Sequence, residues 1–187
     1  MIDELEQVDT CKEYVVIKFQ LFDHDIPYQD RFLSRLDKSI FEFAYTYAER
    51  LGYDVTASVF DEASLDYLIA FSVPFIKIAC RESLYCFADT VAQSGNIPIV
   101  SLSINGKPKN KNYVYLSCVP KYPALLEDYL EFPDEALNRG ISDHTTDFKL
   151  YHIFQPGIYE CHYKLEDSTG PDAAGFARTP EQLKEIL

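Results

Sequence analysis

The feature that most constrains the fold is a switch in hydrophobic period at Ile26-Pro27. Before it, Glu13 to Phe22 alternates, with Val15, Ile17, Phe19 and Leu21 on one face and Lys18 and Gln20 on the other. A half-buried strand has this period of two. After it, Phe32, Leu36, Ile40, Phe43, Tyr47 and Leu51 recur at spacings of three and four, and Gly52 follows. That spacing predicts a helix over Tyr28–Leu51 that a glycine stops.

The same reading continues downstream. Val55, Ala57 and Val59 predict a strand, and Tyr67, Ile69, Phe71 and Val73 predict a second one. Pro74 cannot donate to a ladder, so Phe75–Ala79 is expected past a bulge or at a sheet edge. Leu84, Phe87, Ala88 and Val91 predict a shorter helix ending near Gly95, and Val100–Ile104 with Val114–Cys118 predict a hairpin around Gly106–Asn112. The resulting order is that of an α+β fold: an antiparallel sheet with two helices on one face, the split βαβ or ferredoxin-like order, plus one strand. A C-terminal acidic helix, a hairpin near Gln155–Ile158 and a short helix opened by Thr179-Pro180 complete the expectation. The expected division is an acidic flexible tail over 1–12, an α+β core over 13–119 and an acidic appendage over 120–187.

Charge carries the partner argument. The 187 residues hold 30 Asp and Glu against 17 Lys and Arg, a formal net of -13, within a composition that is 47% hydrophobic. Such a chain has ample apolar material for a core and falls outside the disordered class. Nucleic acid is excluded as a direct partner, because binding it requires neutralising several phosphates at once. The Lys107, Lys109 and Lys111 loop does not offset the net charge. The five cysteines are odd in number, lack a CxxC pair and sit mostly in apolar runs. They predict buried free thiols in a cytoplasmic protein. The acidic N-terminus is unlike a signal peptide, and no apolar run has the length of a membrane span.

No phosphate loop, closed metal-ligand set or catalytic signature stands out, and no cofactor is expected. Between Lys121 and Asp147 seven acidic residues face two basic ones. Glu127, Asp128, Glu131, Asp134 and Glu135, with Tyr129 as an aromatic anchor, form the expected surface for a basic protein partner. This gives the leading expectation: a small acidic inhibitor, leaning away from an enzyme. It would neutralise a nucleic-acid-binding or nuclease partner by phosphate-like mimicry, as an immunity or anti-defence protein does.

Two alternatives come from other classes. A small enzyme would use His152, Cys161 or His24. In the expected hairpin His152 falls opposite Cys161 and His162 points to the other face, while His24 lies between Asp23 and Asp25. A core histidine beside a buried thiol is the plainer account of the first pair, and loop chemistry is the plainer account of Asp-His-Asp. His144, in a polar loop after Asp143, carries less weight still. A structural or assembly subunit that forms a homo-oligomer through a Tyr-rich face is the other alternative.

Overall fold

The computed structural model describes residues 1–24, 26–28, 31–33 and 35–187. In chain order the elements are α1 (Ile2–Glu6), β1 (Val16–Leu21), β2 (Ile26–Tyr28), β3 (Arg31–Leu33), α2 (Lys38–Leu51), β4 (Asp54–Val59), α3 (Glu62–Ile69), β5 (Ile76–Ile78) and α4 (Phe87–Gln93). They continue with β6 (Pro98–Leu102), β7 (Val114–Cys118), α5 (Leu126–Tyr129), α6 (Asp134–Arg139), β8 (Ile141–Asp143), α7 (Lys149–Phe154), β9 (Tyr159–Cys161) and α8 (Pro180–Leu183). The chain forms two compact units, one of residues 10–100 and one of residues 1–9 and 101–187.

In the 10–100 unit, β4 lies between β1 and β5, and β5 pairs on its other side with β6, every pairing being parallel. In the other unit, β8 lies between β7 and β9, again in parallel. The small ladder between β2 and β3 is antiparallel. The expected antiparallel, ferredoxin-like sheet is therefore wrong. Parallel neighbours need crossover connections, and helices supply them here.

A misread helix accounts for much of the error. Residues 62–69, whose end was read as the start of a strand through Tyr67 and Ile69, are α3. Asp61 caps it, its carboxylate accepting the Ser64 N–H at 2.7 Å. That cap replaces the expected break with a helix start, and the chain crosses over to β5 instead of turning back. Pro74 does not push the next segment to an edge either. β5 begins two residues later and lies between β4 and β6, with Ile76, Lys77 and Ile78 all buried.

Helix α2 ends as the sequence predicts, with Gly52 at φ 92° and its N–H returned to the last turn. It starts at Lys38, later than the periodicity suggested, because Asp37 caps it through the Ser39 N–H. Tyr28 and Phe32 fall in β2 and β3, while residues 29, 30 and 34 of the expected helix, like Asp25 of the Asp-His-Asp motif, lie outside the described residues. The buried face of α2 presents Phe41, Tyr45 and Ala48. Phe41 meets Phe19 edge-on at 5.5 Å and Phe71 at 5.3 Å. Each ring fully removed from water contributes about 1.5–3 kcal/mol.

The core of the other unit gathers Ala124, Tyr129, Phe132, Leu137, Ile141 and Leu150. Helix α7 and strand β9 occupy the region read as a hairpin. Gln155 closes α7 at φ 45°, and β9 then runs parallel to β8. The acidic helix, expected over Tyr122–Asn138 with an interruption at Pro133, is two short helices, α5 and α6, on either side of that proline. Among the described residues no helix is long and apolar enough to cross a membrane.

Candidate functional site

In an open parallel sheet the carboxyl ends of the strands are where ligands bind, because loops and helix N-termini converge there. In the unit that holds β7, β8 and β9, the residues following β8 and β9 are His144 and His162. Their rings lie 5.4 Å apart. Tyr122 packs on His144 at 4.1 Å and meets His162 edge-on at 5.7 Å. Phe176 meets both Tyr122 and His162 at 5.0 Å.

Both imidazoles are oriented. His144 Nδ1 lies 2.6 Å from the Val119 carbonyl oxygen, which accepts only, so Nδ1 carries the proton and Nε2 the lone pair. His162 Nδ1 is 3.2 Å from Asp172 Oδ1, so a carboxylate faces the same nitrogen of this ring. The His144 backbone is held too: its N–H donates to the buried Tyr129 hydroxyl at 3.2 Å, and its carbonyl accepts the Ala124 N–H at 2.9 Å. Two oriented nitrogens can transfer protons or contribute to a cation site. Among the described residues, however, no group of three or more His, Cys, Asp or Glu is placed to hold a metal.

Beneath the pair, Asp143 is fully buried. Its Oδ1 accepts the Thr145 N–H at 2.6 Å, and its Oδ2 accepts the Tyr159 hydroxyl. Burial, followed by the charge of Asp143, pushes the Tyr159 hydroxyl far above its ordinary pKa, so it stays a donor.

The 10–100 unit offers a second chemistry. Registration of β1, β4 and β5 aligns Lys18 with Thr56, and Gln20 with Ser58 and Lys77, so these side chains share one face of the sheet. Thr56, Ser58 and Lys77 are buried. Lys18 Nζ donates to the Ser58 hydroxyl at 3.3 Å, and Lys77 Nζ donates to the Ile78 carbonyl at 3.1 Å. A buried cation among hydroxyls is unusual in a parallel sheet, whose faces are normally apolar. It suits an anionic ligand group.

The residues singled out from sequence do not assemble. His152 is exposed on α7 and pairs with Glu185 at 2.7 Å. Cys161 is half-buried on β9 in register with Asp143, so His152 and Cys161 are not cross-strand neighbours. His24 is exposed, with Nδ1 2.9 Å from the Asp23 carbonyl. Of the acidic set, Glu127, Glu131, Asp134 and Glu135 are exposed on or beside α5 and α6. Asp128 is half-buried, caps the Leu125 N–H at 2.8 Å and pairs with Lys121 at 3.0 Å. Tyr129 is not a surface anchor: it is buried in the core and donates to the Ser142 carbonyl at 2.6 Å. Nor are the thiols uniformly buried, since Cys11 and Cys86 are exposed.

Sequence reasoning weighed His144 and His162 but did not relate them to each other, setting His162 on the far face of a hairpin and His144 in a polar loop. No local signal marks the pair, because each histidine follows a short mixed segment, Ile141-Ser142-Asp143 or Tyr159-Glu160-Cys161, and the rings converge only when both segments are parallel neighbours.

No family model matches the chain. Among curated proteins, the N-acetylneuraminate-9-phosphate synthase of Homo sapiens is 29% identical over 165 residues, 75% of this chain and 45% of that protein. The Mus musculus protein of the same name is 27% identical over 166 residues, 76% of this chain and 46% of that protein. The chain therefore spans less than half the length of these curated relatives.

Among solved structures, the N-acetylneuraminic acid synthetase of Leptospira borgpetersenii, crystallised with citrate, superposes with a TM-score of 0.70 at 22% identity over 99% of this chain and 73% of that one. A spore coat polysaccharide biosynthesis protein of Bacillus subtilis gives 0.65 at 21% identity over 98% and 62% of the two chains. One from Chromobacterium violaceum gives 0.74 at 17% over 98% and 66%. These neighbours are biosynthetic proteins, and they overturn the reading as an acidic inhibitor, nucleic-acid mimic or immunity protein. The enzyme alternative stands closer. The chain has the fold of these sialic acid and spore coat polysaccharide biosynthesis proteins, and its sequence is similar to part of N-acetylneuraminate-9-phosphate synthases.

Proposed function

We propose that this chain is a cytoplasmic enzyme, or an enzyme part, acting in the synthesis of an acidic sugar of the N-acetylneuraminate kind. The observation that carries the reading is the oriented His144–His162 pair at the carboxyl ends of β8 and β9. Similarity to the named synthases supplies the substrate class. The imidazoles move protons or hold a cation against the oxygen-rich ligand, and Tyr122 and Phe176 form an apolar wall on which a sugar ring packs. The five cysteines, none of them in a disulfide among the described residues, suit a reducing compartment.

The test is a calorimetric titration with N-acetylneuraminate and, separately, its 9-phosphate, repeated on His144→Gln and His162→Gln. Saturable binding by the parent chain and its loss in both variants supports the reading. Binding that is absent, or indifferent to both substitutions, removes it.

A further inference from the structure

Arg178 is 1% exposed, an unusual place for a guanidinium. Its Nη1 donates to the carbonyls of Thr145 at 2.9 Å and Phe176 at 3.0 Å, and its Nη2 donates to the Asp147 carbonyl at 2.6 Å. Asp143 Oδ2 lies 3.5 Å from the same Nη2, and the guanidinium covers the Phe148 ring at 4.9 Å. The fork thus grips the loop that follows His144 from inside.

The main chain of the same residue grips the backbone of the other histidine. The Arg178 N–H donates to the His162 carbonyl at 2.7 Å, and its carbonyl accepts the Lys164 N–H at 2.8 Å. Tyr163 and Arg178 form a parallel bridge. One residue therefore ties the end of β9 to the loop after β8, and its third carbonyl partner belongs to Phe176, which packs against His162.

Stability alone does not account for an arginine here. Its Nε is buried without a hydrogen-bond partner among the described residues, and a buried ion pair with an unmet donor is often no better than apolar packing. A planar fork that reaches several carbonyls at once has no substitute among the other side chains, lysine being a point charge on a flexible stem. We propose that Arg178 is a positioning residue that sets the separation and orientation of the His144 and His162 rings. The role rests on the reading of those imidazoles as the working groups.

The experiment uses the full chain, isotope-labelled, with Arg178→Lys and Arg178→Met. Ring nitrogen spectra report the tautomers of His144 and His162, inter-ring nuclear Overhauser effects report their separation, and thermal melts report the fold. In Arg178→Lys, which keeps a charge for Asp143, the expected result is a folded protein whose inter-ring effect falls about two-fold or more and whose His144 and His162 ring signals shift. A folded Arg178→Lys or Arg178→Met protein with parent-like ring signals and inter-ring effect overturns the proposal. If neither variant folds, the parent chain decides. Guanidinium protons of Arg178 that exchange at least about ten-fold more slowly than those of exposed Arg139 support the fork, and equal exchange refutes it. These readouts are independent of sugar binding. A chain that fails the calorimetric test but passes this one loses its proposed function and keeps the geometric role of Arg178.

Discussion

The imidazoles of His144 and His162 stand 5.4 Å apart because each follows the last residue of one of two parallel neighbours, β8 and β9. Register places Asp143 beside Cys161, and the next residue on each strand enters the site. Val119 and Asp172 then orient the two rings from different loops.

Replacing either imidazole should cost turnover and leave the fold. On the function proposed above, His144→Gln and His162→Gln are expected to lower the rate of acidic-sugar formation by about 100- to 10,000-fold, the range for a positioned acid or base. Steady-state rates beside a circular dichroism spectrum check this. A change below ten-fold in both variants would return the pair to the role of packed core histidines.

Tyr129 links the core to the site. Its hydroxyl donates to the Ser142 carbonyl and accepts the His144 N–H, and burial raises its pKa so far that it stays protonated. Tyr129→Phe strands both partners in the interior and should lose about 1–3 kcal/mol in urea denaturation. An unchanged midpoint would mean that water replaces the hydroxyl.

Gly140 leads into β8 where there is no room for a side chain. A Cβ there would lie 2.5 Å from Leu116 Cδ2, and Leu116 is itself buried. Gly140→Ala should therefore cost about 1–3 kcal/mol through overpacking, measurable by thermal or urea unfolding. A neutral result would show that Leu116 finds another rotamer without penalty.

Asp61 makes stability depend on acid. Burial raises its carboxyl, but hydrogen bonds from the Asp23 N–H and from Ser64 outweigh burial and hold its pKa below the ordinary value. A carboxylate lowered in the folded state contributes fully above the unfolded value, about 3.9, and loses that contribution as pH falls through its folded value. The difference in melting temperature between the parent and Asp61→Asn should thus be largest near neutrality and shrink below about pH 4. A difference that stays constant down to pH 2.5 would assign the effect to cap geometry instead of charge.

Local chemistry was legible wherever neighbours in sequence decide it. The alternation before Phe22 became β1, Gly52 stops α2 in the left-handed region, and Thr179-Pro180 opens α8 with a capping box. Where two local signals competed, the reading failed. Tyr67 and Ile69 fit a strand by alternation, and they fit α3 once Asp61 supplies its cap. The region around Gln155 has turn chemistry, but that chemistry ends a helix and does not close a hairpin.

The sequence by itself determined where α2 ends, the strand segments of β1, β4, β6 and β7, and the abundance of carboxylates, because propensity, periodicity and composition act over a few residues. Only the tertiary structure decided that the strands run parallel, that Tyr129 and Arg178 go inside, and that His144 meets His162 while His152 goes to Glu185. Those outcomes depend on which strands become neighbours. A change from hairpin to crossover reverses a strand and brings different side chains to its carboxyl end, and no run of adjacent residues records that choice.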